Sequence, residues 1–119
     1  MEQDLESDFL NVELSEQRAM NRQAWLMLVK KEYTPDKKLC LDFVFVTPSR
    51  ANAKKFQMFL EELDYQAKLV NNDDEFEISG KTPEMSLTLE DLHNWTARMV
   101  EYGQKYGCTF DGWTTDFIR

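Results

Sequence analysis

Leu39-Cys40-Leu41-Asp42-Phe43-Val44-Phe45-Val46 reads as an extended segment with two sets of side chains: Leu39, Leu41, Phe43 and Phe45 on one face, Cys40, Asp42, Val44 and Val46 on the other. Both faces are largely apolar, and a strand buried on both sides belongs inside a sheet. The flanking segments must therefore supply its neighbours and its cover. Thr47-Pro48 gives an N-cap with proline at the first helical position, and Ala53, Phe56, Phe59, Leu60 and Leu63 recur at helical spacing, so a helix is expected to end near Leu63. Alternation returns over residues 65 to 70, with Tyr65, Ala67 and Leu69 set against Gln66, Lys68 and Val70. Asn71-Asn72-Asp73-Asp74 then turns the chain. In Glu75-Phe76-Glu77-Ile78-Ser79 the alternation sends Phe76 and Ile78 inward and both glutamates outward, which predicts a hairpin with a four-residue loop. Gly80-Lys81-Thr82-Pro83 breaks that strand.

A further helix is written more fully. Thr88 with Asp91 three residues on forms a capping box, and Leu87 with Leu92 fits a hydrophobic staple. Leu92, Trp95, Met99, Tyr102 and Tyr106 make a stripe at spacings of three and four, the pattern of core packing. Gly107 is placed to end the helix in the left-handed conformation, and a strand containing Phe110 follows. At the other end of the chain, residues 1 to 12 form an acidic lead. Ser15 in Leu14-Ser15-Glu16-Gln17 then predicts the N-cap of a helix running to about Lys31. Its apolar residues, Met20, Ala24, Trp25, Met27, Leu28 and Val29, crowd its second half, and Thr34-Pro35-Asp36 stops it.

The order is thus helix, then strand, helix, strand, strand, helix, strand. Two split crossovers of the usual right hand around one hairpin make an α+β, ferredoxin-like βαββαβ sandwich. Its antiparallel sheet has the order 4-1-3-2, with the first strand in the interior and an additional N-terminal helix. Residues 13 to 119 are expected to form this single domain. Val44 and Val46, on the face turned away from the two crossover helices, need cover from the N-terminal helix through Trp25 and Leu28, or from a second copy of the chain. The helix is the expected cover.

The C-terminal stretch Gly107-Cys108-Thr109-Phe110-Asp111-Gly112-Trp113-Thr114 carries a second signal. Asp111-Gly112 is a turn or bulge dipeptide, since glycine accepts positive φ at little cost, and a bulge there would re-aim Trp113. Trp113 then either covers the sheet edge, with Asp111 closing a local turn, or stands out as an aromatic anchor beside a carboxylate. A helix ending in Lys105-Tyr106-Gly107, then a small residue, an aromatic and Asp111-Gly112-Trp113, resembles the C-terminal signature of the regulator of ribonuclease E activity B family, the ribonuclease E inhibitors. The resemblance extends over roughly residues 37 to 117 as an order of elements. It implies the same fold. It also implies a protein that modulates the endoribonuclease organising messenger RNA decay by contacting that enzyme's arginine-rich scaffold. Thr114 departs from the small residue that commonly follows the motif, and the acidic tail of the inhibitor is replaced by Ile118-Arg119.

Composition narrows the function. The 119 residues contain 22 Asp and Glu against 14 Lys and Arg, a net charge of −8, which repels phosphates and disfavours direct nucleic-acid binding. A basic protein partner is the natural electrostatic inference. No apolar run approaches eighteen residues and the first eight carry four acids and no base, so neither a membrane span nor a signal peptide is expected, and the setting reads as cytoplasmic. His93 is the single histidine, with no second ligand or triad spacing beside it, and reads as a surface or boundary residue. Glu61-Glu62-Asp64 and Asp73-Asp74-Glu75-Glu77 are dense in carboxylates, but a helix end and a hairpin tip are solvated places, unsuited to perturbed catalytic pairs.

No enzyme, metal or cofactor is expected. What remains is binding, through Asp73, Asp74, Glu75 and Glu77 at the tip and Asp111, Gly112 and Trp113 at the bulge, by a monomer or homodimer. The alternatives are a structural or dimerising module, and a small-molecule sensor using the space between the N-terminal helix and the sheet. Cys40 and Cys108 begin antiparallel neighbouring strands and so lie on the order of 15 to 20 Å apart at about 3.3 Å per residue, beyond the reach of a disulfide. Non-reducing mass spectrometry is expected to find both thiols free; an intramolecular bridge would overturn this topology.

Overall fold

The computed structural model describes the backbone of residues 5 to 117 and the side chains of residues 12 to 117. Its elements are α1 (Leu5–Lys30), β1 (Asp42–Thr47), α2 (Arg50–Glu62), β2 (Gln66–Asn72), β3 (Glu75–Lys81), α3 (Leu89–Lys105) and β4 (Thr109–Thr114). The four strands form one antiparallel sheet in the order β2-β3-β1-β4, so β1 is interior, between β3 and β4. This is the ferredoxin-like βαββαβ arrangement with an extra helix in front.

The alternation in β1 decides the core. Leu39, Leu41, Phe43 and Phe45 are all buried. Phe45 lies edge-on to Phe56 of α2, ring centres 4.5 Å apart, and 5.1 Å from Phe110 of β4. Leu92, Trp95 and Met99 of α3 complete this layer. Fully burying such side chains stabilises by roughly 1.5–3 kcal/mol each, so one strand with two helices carries much of the driving force.

The local signals of α3 are present as read. Thr88 accepts from the Asp91 amide at 3.1 Å while the Asp91 carboxylate accepts from the Thr88 amide at 3.0 Å, and Gly107 follows the helix at φ 69°. Cys40 and Cys108 are free thiols, and burial pushes the Cys108 thiol up to about 11.

Four expectations need correction. The N-cap of α2 is Ser49, which accepts from the Asn52 amide at 3.1 Å, and not Thr47. Thr47 is the last residue of β1, where its hydroxyl accepts from the Ser49 amide at 3.2 Å, so the residue belongs to the strand and not to the helix. The hairpin loop has two residues, not four: Asn72 pairs with Glu75, and Asp73 supplies the left-handed turn at φ 55°. Helix α1 begins at least ten residues before Ser15, which is an exposed mid-helix residue, because the preceding segment of leucines and acids is itself helix-forming.

The fourth correction concerns the position of α1. It packs along α3, in the helix layer, and leaves Val44 and Val46 half-exposed on the far face of the sheet. The residues it turns inward are Leu14, Gln17, Asn21, Ala24 and Leu28, while Met20, Leu26, Met27 and Val29 remain about half or more exposed. Covering the far face would instead have buried Lys68, Glu77 and the Lys81–Asp42 ion pair, at a desolvation cost.

Gly80 and Gly112 hold the sheet by different means. A Cβ at Gly80 would strike the Gln66 carbonyl and come within 2.5 Å of the Phe43 ring, whereas at Gly112 it would meet open space but sit at φ 121°. Gly80→Ala is expected to lower unfolding free energy by about 1–3 kcal/mol through overpacking, and Gly112→Ala by ~1 kcal/mol or more through backbone strain. Denaturant melts of the two variants check this.

Candidate functional site

The C-terminal motif forms a bulge. Val44 is opposite Gly112 and Phe45 opposite Phe110, which leaves Asp111 as an extra residue between them. In a regular strand Phe110 and Trp113, three apart, would point to opposite faces. The inserted residue turns both toward the helices. Phe110 is buried under Phe45 and Trp95, and the half-buried Trp113 donates its indole N–H to Asn21 Oδ1 of α1 at 2.8 Å.

Asn21 has no exposed surface and joins three elements. An indole can only donate, which fixes Oδ1 toward Trp113 and Nδ2 toward α3. There Nδ2 donates to Thr96 Oγ1 at 2.9 Å and to His93 Nδ1 at 3.2 Å, and the Thr96 hydroxyl donates in turn to the His93 carbonyl at 3.1 Å. His93 is therefore buried, not at a boundary, and accepts at Nδ1 as the neutral ring. No local pattern signals this, because its partner lies 72 positions away.

The residues expected to make contacts fall into two groups. Asp73, Asp74 and Glu75 are exposed at the tip of the β2–β3 hairpin, and Glu77 is half-buried on the far face opposite Val46 and Val70. Asp111 is exposed at the bulge, and Gly112 is buried there. Strand β1 separates the groups. Asp111 does join a set of residues that no sequence motif marks. A groove of about 420 Å³ runs between α1 and β4, lined by Glu13, Glu16, Gln17 and Met20 on the helix and by Thr109 and Asp111 on the strand. The heptad-like recurrence of Leu14, Asn21 and Leu28, with Gln17 and Ala24 between them, was the signal for that helix face. It escapes a search for apolar residues alone, since two of the five are polar.

Burial holds the Glu13 carboxyl above its usual range, against a lowering hydrogen bond from Gln104, and the nearby Glu16 raises it further. The His93 pKa is lowered, first by burial and then by the charges of Arg18 and Arg22. Among the described residues, no group of three or more His, Cys, Asp and Glu is placed to hold a metal ion, and no helix is long and apolar enough to cross a membrane.

Fold and site together define a class: a ferredoxin-like sandwich with an added N-terminal helix, whose one histidine is engaged in holding helices together and many of whose acidic residues are exposed. The chain belongs to the family described as regulator of ribonuclease activity B, whose model matches residues 18–115. Members of that family are non-catalytic regulators, and a regulatory role through protein–protein contact is accordingly the role of this chain. Among curated proteins, none matches the chain.

Because His93 must lose the Asn21 bond to protonate at Nδ1, its folded pKa lies below its unfolded one, and the unfolded chain binds the extra proton first as pH falls. Stability is expected to drop on acidification from the ordinary histidine pKa near 6.5 down to the lowered folded value. Glu13, with its raised pKa, acts in the opposite sense in a window beginning at 4.5 and extending upward. Denaturant melts across that range should show a flatter acid limb for His93→Gln than for the natural chain, and equal limbs would refute the assignment.

Proposed function

We propose that this chain binds a basic scaffold segment of an endoribonuclease in the cytoplasm and thereby modulates that enzyme or the RNA-decay assembly built on it. The observation that carries this reading is the family membership over residues 18–115, joined to a net charge of −8. An acidic surface complements an arginine-rich segment, speeds encounter and discourages competition by RNA. Asp73, Asp74, Glu75 and Glu77 at the hairpin tip and Asp111, Gly112 and Trp113 at the bulge are the contact candidates offered by the sequence. Of these, Trp113 has its indole N–H taken by Asn21, so any contact it makes with a partner is through the exposed part of its ring.

Cleavage of a model transcript by the purified endoribonuclease is the direct test. Addition of the chain is expected to change the cleavage rate saturably, and the effect should disappear when the enzyme's basic scaffold is deleted. Affinity should weaken at least tenfold between about 50 and 500 mM salt, as screening of exposed charges requires. A rate that does not respond to the chain would refute the proposal, and salt-independent binding would refute its electrostatic part.

A further inference from the structure

The groove between α1 and β4 has features that the contact role does not by itself explain. Strand β4 is the last in the sheet order, with β1 its one strand neighbour among the described residues, and an edge of this kind presents backbone donors and acceptors to an added strand. Helix α1 runs beside that edge, tied to it by the Trp113–Asn21 bond. Gln17 forms part of the groove and is 7% exposed, yet its Oε1 is closed off from water and meets no donor. A buried carbonyl without a partner is uncommon enough to ask for one.

The surroundings say what kind of donor would suit it. Glu13, Glu16 and Asp111 ring the groove with carboxylates. Glu13 is half-buried beside Glu16, so each gains from a cation placed between them. Met20 and Val12, 52% and 58% exposed, offer apolar surface on which the aliphatic stem of an arginine or lysine can lie.

We propose that this groove seats an extended, basic peptide segment of a partner protein, which adds a strand to β4 while one of its cationic side chains lies among Glu13, Glu16 and Asp111 and donates to a reoriented Gln17 amide oxygen. The inference rests on the regulatory reading above and assigns it a place and a mode. Affinity comes from main-chain pairing with the edge, and preference for a basic sequence from the helix. The bulge limits the pairing register, since Asp111 breaks the regular ladder of β4.

The test uses the full chain and two ligands. The first is a capped heptapeptide of alternating arginine and valine, with a glutamate–valine peptide as its counterpart; the second is the endoribonuclease. Titration calorimetry would be run on the natural chain, on Gln17→Leu, on Glu16→Lys and on Glu61→Lys, the last an equal charge change on the exposed surface of α2 away from the groove. Loss of a charge-assisted hydrogen bond predicts about tenfold weaker binding of the arginine peptide to Gln17→Leu and Glu16→Lys. Glu61→Lys should stay within about twofold by the same conversion. Hydrogen exchange should show new protection in the complex at those amides among Thr109, Phe110 and Asp111 that point away from β1.

Three results overturn the inference: no preference for the arginine peptide over the glutamate one, equal loss in all three variants, or protection of β4 that appears without peptide and grows with protein concentration, which would make a second copy the occupant. Glu16→Lys keeps the test decisive should Gln17→Leu fold poorly. An endoribonuclease that fails to bind while the arginine peptide still binds at β4 would refute the functional reading and leave the groove assignment standing. Endoribonuclease binding that no groove variant alters would do the reverse.

Discussion

One buried amide governs how this molecule is put together. Asn21 of α1 accepts from Trp113 of β4 and donates to Thr96 and His93 of α3, so a single side chain fixes the helix both along its axis and around it. Each such bond contributes only ~1 kcal/mol net, but sliding α1 by one turn would leave several buried polar groups unpaired at about 1–3 kcal/mol apiece. The amide thus discriminates between alternative dockings more than it stabilises any one of them, much as an asparagine in a coiled-coil seam selects register. Above and below it, Leu14, Ala24 and Leu28 provide ordinary apolar contact, and Tyr33 both donates to and accepts from the Leu87 backbone, at 3.0 and 2.9 Å, where the chain leaves the helix.

The docking of α1 has a consequence for the surface. With the helix held beside α3, the far face of the sheet stays open, and the edge strand acquires a wall. The same bond that fixes the helix also holds Trp113, which sits just after the bulge and therefore steadies Asp111 and Gly112. Motif and helix form one unit, although 92 positions separate the bonded residues. In this chain the aromatic residue of the motif, Trp113, ties the sheet to the added helix through its indole N–H, and the carboxylate of the motif, Asp111, is exposed.

Some of this was legible before any coordinates. Phe43 and Phe45 announced an interior strand, Thr88 with Asp91 announced the start of α3, Gly107 announced its end, and Asp111-Gly112 announced a bulge, because each of these depends on neighbours within a few residues. Thr47 and Ser49 show the limit of such reading. Both are good caps, and the choice between them was made by the length of β1, which is set by pairing with β3 and β4. The hairpin loop departs from its local signal for a related reason: Asn71 and Asn72 are turn-forming residues, yet pairing with Phe76 and Glu75 holds them in the strand.

The sequence by itself determined the order of elements, the 4-1-3-2 sheet and the acidic character of the surface, since hydrophobic period, capping chemistry and net charge are properties of nearby residues or of the whole composition. The tertiary structure alone decided where α1 lies, that His93 is buried and neutral, and that Glu13, Glu16, Gln17 and Asp111 share a groove. The physical reason is that the inward stripe of α1 is centred on polar residues, and a buried polar side chain has no preferred face until its hydrogen-bonding partners, contributed by distant segments, are in position.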